Sequence, residues 1–371
     1  MCFVYMFVAF AENLTAFDSS VFRDGILAAL ISFFICTICG PFFIKSLKAL
    51  HIKQVFRTKE QVRELAQLHK SKSGIPTMGG LIISLGALTS SSIFCKFNKF
   101  VVISVIVYAL GTTLGMLDDL LKISRGNSKG IAAKYKLLLP ACIITLLMIV
   151  SNNDATLKNI LTNIEWDWIT LILNPKVLFG ITTIFYFFVI AGTSNAVNLT
   201  DGIDGLAITN ITISFIFFAI IALVSSKHFC TGNTLLTEID GAEQLYILCC
   251  SFAGACISFY IFNRYPASVF MGDTGSLGLG SLLAIIAILL RQPFALLSVG
   301  IIFVSEAISV MLQVSSKKLF DRRIFLMTPI HHHFELKGFS EKKIVKSALI
   351  IQCVFTIATL IVIFYGPSFV S

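Results

Sequence analysis

Ten apolar runs, most of them long enough to cross a lipid bilayer, decide what this chain can fold into. They lie at residues 26–44, 78–95, 100–117, 137–150, 178–197, 206–225, 244–262, 276–290, 294–314 and 347–366. A bilayer's hydrocarbon core is about 30 Å thick, which takes about 20 helical residues to span. Lipid offers no partner to backbone N–H and C=O groups, so each run must satisfy its own hydrogen bonds as an α-helix. The expected fold is therefore all-α, a polytopic bundle of about ten transmembrane helices forming one domain over residues 26–366. Composition points the same way: 56% of the 371 residues are hydrophobic and 13% charged, with a mean hydropathy of +0.87. Soluble globular domains carry about 25% charged residues.

Lysine and arginine set the expected orientation. With ten spans, the loops 45–77, 118–136, 198–205, 263–275 and 315–346 share one side and hold 22 of the 29 basic residues. The positive-inside rule makes that side cytoplasmic and puts both termini in the periplasm. Residues 1–25 then form a periplasmic N-terminal extension lying in the membrane interface, and 367–371 a short periplasmic tail. The N-terminal apolar run ends in the small-x-small sequence Ala9-Phe10-Ala11, as a leader would, but no basic residue precedes it. Ten cysteines sit mostly within apolar runs, with no CxxC repeat; they read as small, polarizable core residues.

The carboxylates are less easily explained as packing. Asp118 and Asp119 end the third run, Asp201 and Asp204 lie between the fifth and sixth, and Asp273 lies between the seventh and eighth. All five fall on the cytoplasmic side. Asp204 and Asp273 stand where helix N-caps are expected, and capping alone accounts for either of them. Five acids at one membrane face repel one another unless cations compensate. A hard divalent ion suits such a set, since Mg²⁺ takes oxygen ligands, usually one or two carboxylates together with substrate phosphates. Anion-binding features share that face: N-termini of the even-numbered helices, the glycines of "SGIPTMGG" behind Lys70 and Lys72, and Lys122, Lys129, Lys134 and Lys136 after the aspartate pair. Together they describe phosphoryl transfer at the inner membrane surface, a reaction run mostly by positioning and charge neutralisation. The tripeptide Asp273-Thr274-Gly275 matches the aspartic protease motif, but its setting between apolar helices excludes that fold.

Taken in order, "DDLLK" with Asn127, Gly130 and Lys134, then "NAVNLTDGIDGLA", "FNRYPASVFMGDTGSLGLG" and "TPIHHHFELKG" resemble the polyprenyl-phosphate N-acetylhexosamine-1-phosphate transferases. Within them the likeness is greatest to the branch that works on muramoyl-pentapeptide carried by UDP. The resemblance implies transfer of phospho-MurNAc-pentapeptide from UDP-MurNAc-pentapeptide to undecaprenyl phosphate, giving lipid I and UMP, with Mg²⁺ as cofactor. It places the chain in the bacterial cytoplasmic (inner) membrane, among membrane lipid, with no nucleic-acid partner, and it admits a homodimer.

Carried over by motif position, Asp118, Asp119 and Asp201 are expected as catalytic acids, Asp118 orienting or deprotonating the lipid phosphate. Asp273 is expected as the metal ligand, joined by Asp201. Lys72, Thr77, Asn195, Asn198, Asp204, Asn263 and Phe270 are expected on the nucleotide side, with Phe270 stacking on uracil and Lys134 on phosphate. Gln313 and Glu306 are weaker candidates for the site. Three consecutive histidines do not make a zinc site, because adjacent side chains splay too far apart to share one metal ion; His332 and His333 are expected to contact substrate and His331 to be structural. Ile75 and Ile131 depart from the family pattern without removing a charge. Transfer of GlcNAc-1-phosphate from UDP-GlcNAc to undecaprenyl phosphate stands as an alternative, and an ion-coupled secondary transporter as a reading from another class. Against the transporter, the acids gather at one face rather than at the midplane.

Overall fold

The computed structural model describes residues 19–50, 52, 72, 74–127, 130–162, 174–226 and 236–370. Lys70, Lys129 and residues 1–18 lie outside them. In chain order the helices are α1 Ser19–Ala49, α2 Gly80–Phe94, α3 Lys99–Arg125, α4 Ala133–Lys136, α5 Leu138–Ser151, α6 Ala155–Thr162 and α7 Pro175–Thr200. They continue as α8 Leu206–Val224, α9 Ala242–Asn263, α10 Gly272–Leu289, α11 Ala295–Val299, α12 Ile301–Phe320, α13 Ile330–Leu336 and α14 Glu341–Val370. Every apolar run falls on a helix, and the protein is an all-α, multi-pass membrane protein. Helix α1 begins at Ser19, a few residues ahead of the expected boundary at 26.

Eight stretches among the described residues are helical, long and apolar enough to cross a membrane. The second and ninth runs fall short of that, for different reasons. Helix α2 has only 15 residues, about 22 Å of rise. The ninth run, expected as one continuous span, breaks at Gly300 into α11 and α12. A break strands backbone groups where water is scarce. Ser214 on α8 donates its hydroxyl to the Val299 carbonyl at 3.2 Å, and the buried Gln352 on α14 donates its amide to the same oxygen. Both donors come from distant helices, so nothing in the run itself announced the break.

Burial arranges the helices in layers. In α10, 89% of the spanning window is buried, against 72% in α8 and α9 and 22% in α1 and α14. The outer helices turn large apolar side chains outward, such as Phe34 and Phe42 on α1 at 55% and 72% exposed, as a lipid-facing surface requires. The inward stripe of α1 runs Gly25, Ala28, Ser32, Cys36 and Gly40, at helical spacing. Such small residues let helices approach closely where no hydrophobic effect drives them together. The buried centre therefore falls to α10, whose N-terminus is also where the acids meet.

Candidate active site

The aspartates of α3 and α10 meet because two glycines allow it. A Cβ on Gly115 would come within 2.0 Å of the Asp273 carbonyl oxygen, so only glycine lets α3 lie against the first turn of α10. Gly272, at φ +74°, takes a left-handed conformation; a Cβ there would come within 2.6 Å of both Asp119 Oδ2 and Thr77 Oγ1. With the backbones this close, Asp119 caps α10 from a neighbouring helix. Its carboxylate accepts from the Asp273 N–H at 3.3 Å, the Thr274 N–H at 3.0 Å and the Thr274 hydroxyl at 2.8 Å. A carboxylate at a helix N-terminus is favoured both by the free N–H groups and by the helix dipole.

Around this cap, one oxygen from each of Asp118, Asp119 and Asp273 falls within 4.8 Å of the others. Two lysines stand among them. Lys122 Nζ is 2.6 Å from Asp118 and 3.0 Å from Asp273, and Lys136 Nζ is 3.3 Å from Asp118 and 2.9 Å from Asp273. Asp118 is fully buried and also accepts from the Ile131 N–H at 2.6 Å. Asp201, just past the C-terminus of α7, is the fourth acid. Burial pushes its carboxyl up to about 8, with the negative charges of Asp273 and Asp119 adding to the effect and a hydrogen bond from Gly272 opposing it. Four carboxylates thus face two ammonium groups, and the excess of acid is what a hard divalent ion needs. The three converging carboxylates fit Mg²⁺ in donor chemistry. This geometric group contains Asp118 and Asp119, expected only as catalytic acids, beside the expected ligand Asp273, with Asp201 adjoining it.

The nucleotide-side candidates divide into two sets. Segment 76–80 zips against segment 270–271: the Phe270 N–H donates to the Pro76 carbonyl at 2.8 Å, and the N–H groups of Gly79 and Gly80 donate to the carbonyls of Phe270 and Met271 at 2.8 and 3.0 Å. That pairing puts Thr77 and Phe270 beside Gly272 and the acids. Asn198 donates to the Ser276 hydroxyl at 2.8 Å on the flank of α10. The second set is tied up in a separate ionic cluster. Lys72 Nζ lies 2.6 Å from Asp204 and 2.7 Å from Glu341, all three nearly buried. Asp204 also accepts from the Ala267 N–H at 2.9 Å, while Asn263 bridges the Gly205 N–H and the Val269 carbonyl. Asn195 is exposed on α7.

The histidines behave as individuals. His331 is buried, 3.1 Å from Glu306 on α12. Its ring lies so close to the backbone that a Cβ on Gly202 would come within 2.2 Å of Nε2. It thereby joins α12 and α13 to the loop carrying Asp201 and Asp204. His332 is 2.6 Å from Glu335 on the same short helix. His333 accepts from the Leu326 N–H at 3.1 Å through Nδ1; burial first, and then Lys337, hold its pKa below the usual imidazole value, which suits an accepting nitrogen. Gln313 fastens the preceding loop, accepting from Ile324 and Phe325 and donating to the Phe325 carbonyl. Lys134 is exposed and lies over the Tyr135 ring, leaving Lys122 and Lys136, among the described residues, as the lysines that reach Asp118 and Asp273.

Lys122 and Lys136 were expected on this face only as anion-binding groups, and Glu341 carried no sequence signal. Lys122 was legible in principle, being one helical turn from Asp118. Lys136, a further 14 positions along the chain, arrives by tertiary folding. Glu341 lies 137 residues from Asp204, its backbone partner.

The chain is similar to known proteins over nearly its whole length. Residues 100–291, which include Asp118, Asp119, Asp201 and Asp273, match the model of glycosyl transferase family 4. A phospho-N-acetylmuramoyl-pentapeptide-transferase of Methylacidiphilum infernorum is 38% identical over 361 residues, covering 96% of this chain and 98% of that protein. One from Vesicomyosocius okutanii is 38% identical over 371 residues, covering 97% and 98%. One from Blochmanniella floridana is 35% identical over 367 residues, covering 95% of each.

Proposed function

Because the chain belongs to the phospho-N-acetylmuramoyl-pentapeptide-transferases, transferases of peptidoglycan synthesis, we propose that it moves phospho-MurNAc-pentapeptide from UDP-MurNAc-pentapeptide to undecaprenyl phosphate. An oxygen of the lipid phosphate bonds to the sugar-linked phosphorus of the UDP-sugar, the bond from that phosphorus to the bridging oxygen breaks, and UMP leaves. The products are lipid I and UMP. The observation that carries this reading is the convergence of Asp118, Asp119 and Asp273 within 4.8 Å at the N-terminus of α10, beside membrane-spanning helices that give a lipid carrier access.

Each residue has work that follows from its surroundings. Asp273 and Asp119, with Asp118 or Asp201, would hold Mg²⁺, which when bound neutralises charge on the pyrophosphate. Lys122 and Lys136 already bridge Asp118 and Asp273; with substrate present their ammonium groups are placed to turn to phosphate oxygens. Asp118 is buried beside both lysines, placed to orient the attacking lipid phosphate or accept its proton. Phe270 and Thr77 flank the acids where the uridine would lie. The enzyme would work in the bacterial inner membrane, with its acids at the cytoplasmic face where the nucleotide substrate is made.

The test is UMP release by the purified protein from UDP-MurNAc-pentapeptide, in the presence of undecaprenyl phosphate and Mg²⁺. Release that requires both substrates and the cation supports the reading, and competition with UDP-GlcNAc decides between sugars. Folded protein that releases no UMP under these conditions contradicts it.

A further inference from the structure

Away from the acids, a cavity of about 740 Å³ lies between α8, α9, the loop after α9 and the start of α14. Its lining holds Arg264, Lys342 and Lys346, all exposed. Among the described residues no carboxylate lies within ion-pair distance of any of the three. Asp204 is the one acid among the described lining residues, and its oxygens are engaged by Lys72 and the Ala267 N–H. Tyr265 adds a ring 5.5 Å from the Lys342 ammonium.

Apolar side chains share the lining: Val345 and Leu349, which alternate with Lys342 and Lys346 along α14, and Ile261 of α9. Ile261 is 41% exposed and belongs to the apolar outer surface of the bundle. Three cations without acid partners among the described residues, in one cavity with exposed apolar surface, form the complement of an amphiphile with an anionic head. A soluble anion would leave the apolar residues uncovered, and a neutral lipid would leave the cations unanswered.

We propose that this cavity binds an anionic phospholipid of the surrounding membrane, its phosphate held by Arg264, Lys342 and Lys346 and an acyl chain lying along Ile261, Val345 and Leu349. The bound lipid ties the 264–268 loop to α14. Both elements also position Asp204, through the Ala267 N–H and through Glu341.

The experiment is native mass spectrometry of the delipidated full-length protein in detergent, titrated with phosphatidylglycerol or with phosphatidylcholine of identical chains. Wild type is expected to take up one phosphatidylglycerol with clear preference over phosphatidylcholine. R264Q/K342Q/K346Q is expected to weaken phosphatidylglycerol at least about five-fold and leave phosphatidylcholine unchanged. If the triple variant does not fold, Lys346→Glu and Lys342→Glu singly carry the same comparison, each expected to show the same selective loss. Equal uptake of the two lipids by wild type, or undiminished phosphatidylglycerol in the folded variants, overturns the proposal. So does displacement of phosphatidylglycerol by equimolar inorganic phosphate, which would mark a site for free anions. Displacement by equimolar undecaprenyl phosphate would assign the cavity to the substrate carrier and likewise overturn it.

Discussion

Two ionic clusters stand at the same end of this bundle, built from the same residue types and arranged to opposite ends. In one, Lys72 sits between Asp204 and Glu341; the second Asp204 oxygen accepts the Ala267 N–H, and the Glu341 oxygen that meets Lys72 also accepts the Asp204 N–H. Its bonds are made within the protein, and it ties together segments far apart in sequence. In the other, Asp118, Asp119, Asp201 and Asp273 outnumber Lys122 and Lys136, and three of the acids converge. A lysine held between two carboxylates fastens a fold, whereas three carboxylates converging on one point are prepared for a cation that arrives later. The contrast turns on how the acids are placed, since both clusters hold two acids for every lysine.

That contrast breaks most readily at Asp273. Asp273→Asn is expected to lower UMP release roughly 10³-fold, on the scale of removing a key electrostatic contact in an active site, while the protein still elutes as a single species. Turnover within a few-fold of wild type would remove Asp273 from the chemistry. Lys72→Met attacks the closed cluster instead, leaving two nearly buried carboxylates without their cation. The expected cost is about 3–5 kcal/mol of stability, read as a lowered thermal midpoint in detergent. An unchanged midpoint would show that this cluster fastens nothing.

A third test separates the clusters by proton release. The Asp201 carboxyl, ordinarily ionised above about pH 4, is pushed up to about 8 and so is mostly protonated at pH 7 in the metal-free protein. Because the folded pKa is the higher one, its contribution to stability is complete below about pH 4 and is lost as pH rises through 8. Binding Mg²⁺ nearby favours the ionised form and should release close to one proton at pH 7 and almost none at pH 9.5. Calorimetry in buffers of differing ionisation enthalpy measures this; equal release at both pH values would contradict it. The smallest effect is expected at the helix break, where Gln352→Leu removes one of two donors to the Val299 carbonyl. It should cost about 1 kcal/mol and leave turnover intact.

The sequence made the spans and the acids legible for the same physical reason: a bilayer penalises polar groups, so apolar runs stand out and the carboxylates left at their ends stand out further. It could not show which acids pair with which lysines, since Lys136 meets Asp118 and Asp273 only after α3, α4 and α10 assemble. Likewise, the break at Gly300 depends on Gln352 and Ser214, far along the chain, and Lys72 looked free to meet a nucleotide until Glu341 appeared beside it. His331 was expected as structural, but nothing in the sequence paired it with Glu306, 25 positions away.

The central claim is that the surplus acids at the start of α10 hold a divalent ion. Electron paramagnetic resonance of Mn²⁺ added in place of Mg²⁺ counts bound ions on the purified protein directly. One bound ion per chain is expected for wild type and for Glu341→Gln, which touches only the closed cluster, with binding lost in the Asp119→Asn/Asp273→Asn double variant. Full binding in that double variant, with its fold intact, would contradict the account.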